Sequence, residues 1–176
     1  MNNNKETILI VDDMHVNIAL LSQILKDKYH LKVAKNGAKA IAIAQRGNVN
    51  LILLDVVMPE MDGYEVCKKL KEHQATQDIP IIFVTGNTDS SDEERVFLLG
   101  AADYITKPYH PTTVLSRVKN HLANISKNRL LDEKNRELQR YISLVDKNVI
   151  TSSTDLNGLI TDASEAFWAL QDLSRV

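Results

Sequence analysis

Four short apolar runs of this chain are each followed by a polar residue whose chemistry suits a metal ion or a phosphate. TILIV precedes Asp12 and Asp13, LILL precedes Asp55, IIFV precedes Thr85, and YIT precedes Lys107. The carboxyl ends of parallel strands line one crevice of an open α/β sheet, so side chains that are far apart in the sequence can meet there. The pattern therefore predicts a magnesium and phosphoryl site at one edge of a parallel sheet.

The same runs alternate with segments of helical periodicity, which predicts five βα units. Runs such as Ile8 to Val11 are apolar at every position, as is typical of strands covered by helices on both faces. We therefore predict an α/β fold with a doubly wound, five-stranded parallel sheet. The predicted strands are Thr7–Val11, Leu31–Ala34, Leu51–Leu54, Ile79–Thr85 and Asp103–Ile105, and the predicted helices are Met14–Lys28, Gly37–Arg46, Tyr64–Glu72, Ser91–Leu99 and Pro111–Ala123.

Composition narrows the class of protein. With 176 residues, of which 44% are apolar and 25% charged, the chain can bury one core and carry a tail. A net charge of −2 and a pI near 6.2 give no basic surface for nucleic acid. No apolar run reaches membrane-spanning length, the start MNNNKET does not resemble a signal peptide, and the single Cys67 suits a reducing compartment. We expect a cytoplasmic protein that binds neither nucleic acid nor membrane.

The segment from Asn124 to Lys147 is charged and contains neither proline nor glycine, which predicts one continuous helix. A heptad repeat places Leu131, Leu138 and Val145 at position d and Asn128, Asn135 and Ile142 at position a. Asparagine at position a favours two-stranded coiled coils of defined register. We therefore expect a parallel homodimer through residues 124–147. The alternative is a solvated helix that folds back on its own domain.

Residues 148–176 predict a short hairpin and the start of a helix. The predicted strands are Val149–Thr151 and Leu159–Thr161, and the predicted helix is Ala163–Leu170. This is too little to fold alone, and it leaves apolar side chains such as Phe167 and Trp168 without a partner surface. We expect that another chain covers this segment or that the sequence is truncated here.

The chemistry expected of the polar residues can be stated one by one. Magnesium prefers oxygen ligands, which Asp13 and Asp55 supply directly and Asp12 supplies through water. Asp55 can also attack a phosphorus centre, while Lys107 and Thr85 bind the phosphoryl oxygens. Each residue also has an ordinary reading: either of the first two aspartates could cap the following helix, Lys107 could be a surface lysine, and Thr85 could belong to a turn.

Four motifs, ILIVDD, LILLDVVMPEMDGYE, PIIFVTG and GAADYITKP, resemble the receiver domain of bacterial two-component response regulators, close to the single-domain chemotaxis type. The resemblance covers residues 7 to about 124 and implies a flavodoxin-like sheet of order 2-1-3-4-5. It further implies phosphoryl transfer from a histidine kinase or phosphotransfer protein to Asp55, with Mg²⁺ held by Asp13, Asp55 and the backbone carbonyl of Val57. Thr85 and Tyr104 match the family's switch pair, which acts through the face built from the fourth predicted helix, the fifth strand and the fifth predicted helix.

A second resemblance lies in DKNVITSSTDLNGLITDASEAF, which is similar to the opening of a PAS sensor domain. Together the two imply a receiver domain at 1–124, a signalling helix at 125–147 and an incomplete PAS-like fragment at 148–176. We expect a switch rather than an enzyme, capable only of self-phosphorylation and self-dephosphorylation. The alternatives are a phosphorylation-independent dimerisation module and, less favoured, a phosphatase of the haloacid-dehalogenase type, which needs a second aspartate where this chain has Val57.

Overall fold

The computed structural model describes residues 5–86, 98–149, 152–157 and 159–173 of the chain. Contacts within the backbone divide the chain into two compact units, Met1–Asn124 and Ile125–Val176. In the described residues, no helix carries an apolar stretch long enough to cross a membrane.

The first unit contains a five-stranded sheet in which every pair of neighbouring strands is parallel. The strand order is β2-β1-β3-β4-β5, which confirms the predicted doubly wound, flavodoxin-like fold. The strands are β1 (Thr7–Val11), β2 (His30–Ala34), β3 (Leu51–Asp55), β4 (Ile81–Thr85) and β5 (Asp103–Thr106), and the helices are α1 (His15–Leu25), α2 (Gly37–Gln45), α3 (Gly63–Glu72) and the first part of α4 (Pro111–Asn148).

Both faces of the sheet are covered, which explains why its central strands are apolar at every position. Leu9, Ile52 and Phe83 pack with buried residues of α2 and α3 in one cluster. Successive side chains of a strand point to opposite faces. Ile8 and Leu53, which are fully buried as well, therefore face the other side of the sheet. Buried apolar area on both faces holds the strand ends in place with little freedom.

The turn between β3 and α3 is set by local chemistry. Oδ1 of Asp62 accepts a hydrogen bond of 2.8 Å from the backbone amide of Glu65, which caps the amino end of α3. The next residue, Gly63, lies so close to β3 that an added Cβ would come within 2.3 Å of the carbonyl oxygen of Asp55. A residue without a side chain is therefore needed beside the strand end that carries Asp55.

Some predicted boundaries change. The strand predicted from Ile79 begins at Ile81, because Ile79 and Pro80 belong to the loop before it. The helices predicted at 111–123 and 124–147 form one uninterrupted helix, α4. Nearly all of the fourth predicted helix, Ser91–Leu99, lies outside the described residues, which resume at Leu98.

The second unit consists of the remainder of α4, an antiparallel hairpin and a final helix. The hairpin strands are β6 (Ser152–Thr154) and β7 (Ile160–Ala163), followed by α5 (Glu165–Leu173). The prediction of a strand at Val149 was wrong, since this residue forms a bend at the end of α4, and residues 150 and 151 lie outside the described part. The final helix begins two residues later than predicted, because Ala163 pairs with Ser152 and Oγ of Ser164 accepts a hydrogen bond from the amide of Phe167.

Candidate functional site

Three aspartates meet at the carboxyl ends of β1 and β3. Val11 pairs with Leu54 in neighbouring strands, so Asp12, Asp13 and Asp55 follow side by side. One carboxylate oxygen from each lies within 4.8 Å of the others. Asp12 and Asp55 are buried, whereas Asp13 is exposed to solvent. The structure thus brings together the three acidic residues that the sequence pattern selected.

Lys107 reaches this cluster from β5. Its Nζ atom donates to Oδ1 of Asp55 at 2.9 Å and to Oδ2 of Asp12 at 3.3 Å. The backbone amide of Lys107 also donates to the carbonyl of Thr85 at 2.8 Å, which extends the pairing of β4 and β5 beyond the last strand residue. The ordinary reading of Lys107 as a surface lysine does not fit, because its ammonium is held by two buried carboxylates.

The second oxygen of Asp12 is held by the first turn of α1. Oδ1 accepts hydrogen bonds from the amide of Met14 at 2.8 Å and from Nδ2 of Asn17 at 3.0 Å. Met14 occupies the N-cap of α1 and no side chain caps this helix in the usual manner, so the capping role considered for the aspartates is absent. Asn17 was missed by the sequence analysis. An amide five residues after a strand-end aspartate has no distinctive motif.

Burial and the neighbouring charges at this site shift the pKa values of Asp55 and Lys107. Burial raises the pKa of the Asp55 carboxyl; the hydrogen bond and charge of Lys107 oppose this rise, and the nearby carboxylates of Asp12 and Asp13 add to it. Burial lowers the pKa of Lys107, but the hydrogen bond and negative charge of Asp55 outweigh this effect and leave the pKa raised. Lys107 is therefore a permanent cation at neutral pH.

The two residues of the expected switch pair lie on adjacent strands. Thr85 ends β4 opposite Thr106, and Tyr104 lies two positions earlier along β5, opposite Phe83. Both are half-buried. This register places both side chains on the same face of the sheet, but their joint movement stays a prediction.

A cluster that the sequence analysis missed ties β5 to α4. Asp103 forms an ion pair with Arg117, and its Oδ2 lies 3.1 Å from Nε2 of His121. The guanidinium of Arg117 lies 5.5 Å from the ring centroid of Tyr104. Arg117 and His121 are four residues apart, so the sequence already indicated that they share one face of a helix.

Val57 stands two positions after Asp55, and 77% of its surface is exposed. Its backbone carbonyl as a metal ligand, inferred from the family resemblance, stays a prediction.

The donor set fits magnesium. The cluster has three carboxylates and one ammonium, which contacts only those of Asp12 and Asp55, so it carries excess negative charge in a partly buried place. Hard divalent cations prefer such oxygen ligands and keep several waters, which the exposed Asp13 allows. The three clustered carboxylates therefore fit the ligand preference of the ion.

A parallel sheet of this order, with an acidic cluster and a lysine at its carboxyl edge, defines the response regulator receiver domain. Residues 8–119 match the family of that name, and the chain belongs to it. Domains of this family interact with histidine kinases or phosphotransfer proteins and bind Mg²⁺ at an acidic pocket.

Individual relatives show the same relationship. The chain is 48% identical over 118 residues to a Vibrio cholerae protein named "Probable cyclic di-GMP phosphodiesterase", covering 67% of this chain and 27% of that protein. It is 38% identical over 114 residues to the response regulator PleD of Caulobacter vibrioides, covering 64% of this chain and 25% of PleD. The chain thus spans about a quarter of the length of these two curated relatives.

One solved structure similar to this chain contains a magnesium ion. The receiver domain of a sensor histidine kinase from Pseudomonas aeruginosa, described with a magnesium ion coordinated in its active-site cleft, matches with a TM-score of 0.63 and 26% identity. The match covers 68% of this chain and 98% of that one.

Proposed function

We propose that this chain is a phosphoacceptor switch in which Asp55 takes a phosphoryl group from a histidine kinase or phosphotransfer protein. The observation that carries the proposal is the 2.9 Å contact between Nζ of Lys107 and Oδ1 of Asp55 inside a cluster of three carboxylates. A carboxylate held by a cation at a strand end is positioned for nucleophilic attack, and the same cation can bind the phosphoryl oxygens afterwards.

We assign the residues as follows. Asp55 attacks the phosphorus, and the bond between phosphorus and the donor's histidine nitrogen breaks as the new oxygen–phosphorus bond forms. Asp13, Asp55 and the carbonyl of Val57 hold Mg²⁺, with Asp12 acting through water. When bound, the ion offsets the negative charge that gathers between the carboxylates and the phosphoryl group.

Lys107 and Thr85 bind phosphoryl oxygens, and Tyr104 responds to the movement of Thr85. The position of Tyr104 beside Arg117 supports a path from the site to α4, because the guanidinium lies over the ring. Phosphorylation then shifts a population between two arrangements of this face.

The domain division that we propose is a receiver at 1–124, a signalling helix at 125–147 and a PAS-like beginning at 148–176. The short hairpin followed by α5 supports the last assignment. For this chain we propose a switch without turnover of an external substrate, which binds no nucleic acid.

A second copy of the chain is the proposed partner of α4. All described side chains from 126 to 145 are exposed, and a stripe of large apolar residues runs along this part of the helix. Leu131, Leu138, Ile142, Val145 and Val149 lie at heptad positions a and d and are each about half exposed. An isolated amphipathic helix is marginally stable in water, and pairing of two such stripes buries them.

The test is intact mass and solution size in Mg²⁺, with and without acetyl phosphate, for the wild type, Asp55→Ala and the exposed-loop control Asp27→Ala. We expect a phosphoryl adduct on the wild type and on Asp27→Ala but not on Asp55→Ala, together with a change in solution size. An adduct on Asp55→Ala contradicts the assignment of Asp55. Absence of any adduct favours the phosphorylation-independent dimerisation module.

A further inference from the structure

Tyr109 carries a buried hydroxyl group that the reading of the site does not use. It lies two residues after Lys107, and its ring lines a groove of about 490 Å³ with side chains of α1 that include Leu20 and Ile24. The hydroxyl itself is enclosed and has no hydrogen-bond partner among the described residues. Buried hydroxyls are nearly always hydrogen-bonded. A buried hydroxyl without a partner therefore indicates that one is supplied in another state of the protein.

The surroundings of this hydroxyl are those of the acidic cluster. Burial raises the pKa of Tyr109 to about 12; the charge of Lys107 opposes the rise, and the carboxylates of Asp12 and Asp55 contribute to it. The phenol is therefore neutral at physiological pH and can accept a hydrogen bond as well as donate one. The hydroxyl lies near enough to the ammonium of Lys107 for a hydrogen-bonding interaction between them to lower the tyrosine pKa slightly against the effect of burial. The geometry of the pair does not form a complete hydrogen bond in this arrangement.

The ammonium of Lys107 has one N–H donor more than it has acceptors in the described residues. An ammonium group has three N–H donors, and the described acceptors of Lys107 are two, Oδ1 of Asp55 and Oδ2 of Asp12. One donor thus has no protein acceptor in the described residues, and the unpaired oxygen of Tyr109 is close by.

We propose that Tyr109 is a positioning residue for Lys107, whose hydroxyl oxygen accepts the third N–H once the ammonium turns from the Asp55 carboxylate to the phosphoryl oxygens. This inference rests on the proposed function. Phosphorylation converts the Asp55 oxygen into part of an acyl phosphate and moves the negative charge outward onto the phosphoryl group. The ammonium of Lys107 moves toward that charge, and a hydrogen bond to Tyr109 fixes its orientation there. This hydrogen bond favours the phosphorylated arrangement over the unphosphorylated one.

The test is Tyr109→Phe, which removes one oxygen atom and keeps the ring in its groove. Affinity for beryllofluoride at saturating Mg²⁺ is measured by fluorine NMR titration, alongside Mg²⁺ affinity and the melting temperature of the unphosphorylated protein. We expect beryllofluoride affinity to fall about fivefold, the worth of one ordinary hydrogen bond. Mg²⁺ affinity stays unchanged, and the melting temperature stays equal or rises because an unsatisfied buried hydroxyl has gone.

Tyr141→Phe, at an exposed position of α4, is the matched control and should alter none of the three quantities. Unchanged beryllofluoride affinity in Tyr109→Phe overturns the inference. So does a parallel fall in beryllofluoride affinity, Mg²⁺ affinity and melting temperature, since that pattern indicates a structural role. If the wild type itself fails to bind beryllofluoride, or Asp55→Ala binds it equally well, the proposed function fails and this inference falls with it.

Discussion

The ammonium of Lys107 lies 2.9 Å from Oδ1 of Asp55, although 52 residues separate them in the sequence. β3 and β5 lie on either side of β4, and their carboxyl ends open on the same edge of the sheet. The contact joins the proposed nucleophile to the cation that neutralises it.

Burial and the neighbouring carboxylates make the ionised Asp55 side chain unfavourable in the folded protein. We therefore predict that Asp55→Asn is more stable than the wild type in Mg²⁺-free buffer at neutral pH. Burial raises the folded-state pKa of Asp55 above its ordinary 3.8, so the folded protein disfavours the ionised form. The contribution of Asp55 to the free energy of unfolding therefore falls as the pH rises from below 3.8 through the raised pKa of the folded protein. The uncharged amide of Asp55→Asn makes no such pH-dependent contribution.

Thermal unfolding between pH 3 and pH 8, in the presence of a chelator, measures this difference. The exposed Asp27→Asn is the control, for which we expect the pH profile of the wild type. An Asp55→Asn variant that melts below the wild type across this range would be inconsistent with a destabilising buried carboxylate.

Gly63 is predicted to be intolerant of a side chain. Its added Cβ would lie 2.3 Å from the carbonyl oxygen of Asp55 and 3.0 Å from Cα of Val56, both of which belong to the backbone and cannot turn aside. We expect Gly63→Ala to lower the free energy of unfolding by about 1–3 kcal/mol and to slow formation of the phosphoryl adduct. Gly86→Ala is the matched control, since no atom of the described residues lies within 4 Å of its added Cβ. Urea denaturation of both variants gives the comparison, and equal midpoints would refute the prediction.

Cys67 is predicted to react slowly with thiol reagents in the native protein. It is fully buried on α3, and burial raises its pKa to about 11 from an ordinary value of 9.0. At pH 8 the thiolate fraction is then about a hundredfold lower than for a free thiol. We expect slow labelling by a colorimetric disulfide reagent in buffer and rapid labelling in guanidinium chloride. Fast labelling of the folded protein would show that the α3 packing opens readily.

The charges beside the apolar stripe of α4 predict the orientation of a dimer. In the heptad that places Leu131 at d, Lys127 occupies position g and Asp132 the following e, which face each other between the two chains of a parallel coiled coil. An antiparallel pair instead opposes g with g and e with e, which brings like charges together. Lys127→Asp should weaken self-association about tenfold, and Lys127→Asp with Asp132→Lys should restore it.

Sedimentation equilibrium measures the dissociation constants of these variants. Arg140→Asp is the control, because position f faces away from the seam and should leave self-association near the wild-type value. Failure of the double variant to recover affinity would exclude a parallel dimer in this register.

The parallel α/β sheet and its acidic edge were predictable from the sequence because both depend on repeated local signals, whereas the order of the strands followed from the family resemblance. Apolar runs such as that from Ile8 to Val11 indicate strands covered on both faces, and Asp12, Asp13 and Asp55 follow them at once. The ends of the helices were predicted less well. The start of α5 shifted because a hairpin pair and the Ser164 cap, both of which depend on the folded chain, decided it.

The sequence by itself determined the fold class, the set of polar residues at the strand ends and the heptad pattern of α4, since each is written in the spacing of neighbouring residues. Only the tertiary structure decided which of the remaining side chains meet. The packing of helices on the sheet brings Asn17 to Asp12 and brings Arg117 and His121 to Asp103. The folded chain also encloses the hydroxyl of Tyr109. Such contacts depend on distances between elements distant in sequence, and no local pattern of residue types encodes those distances.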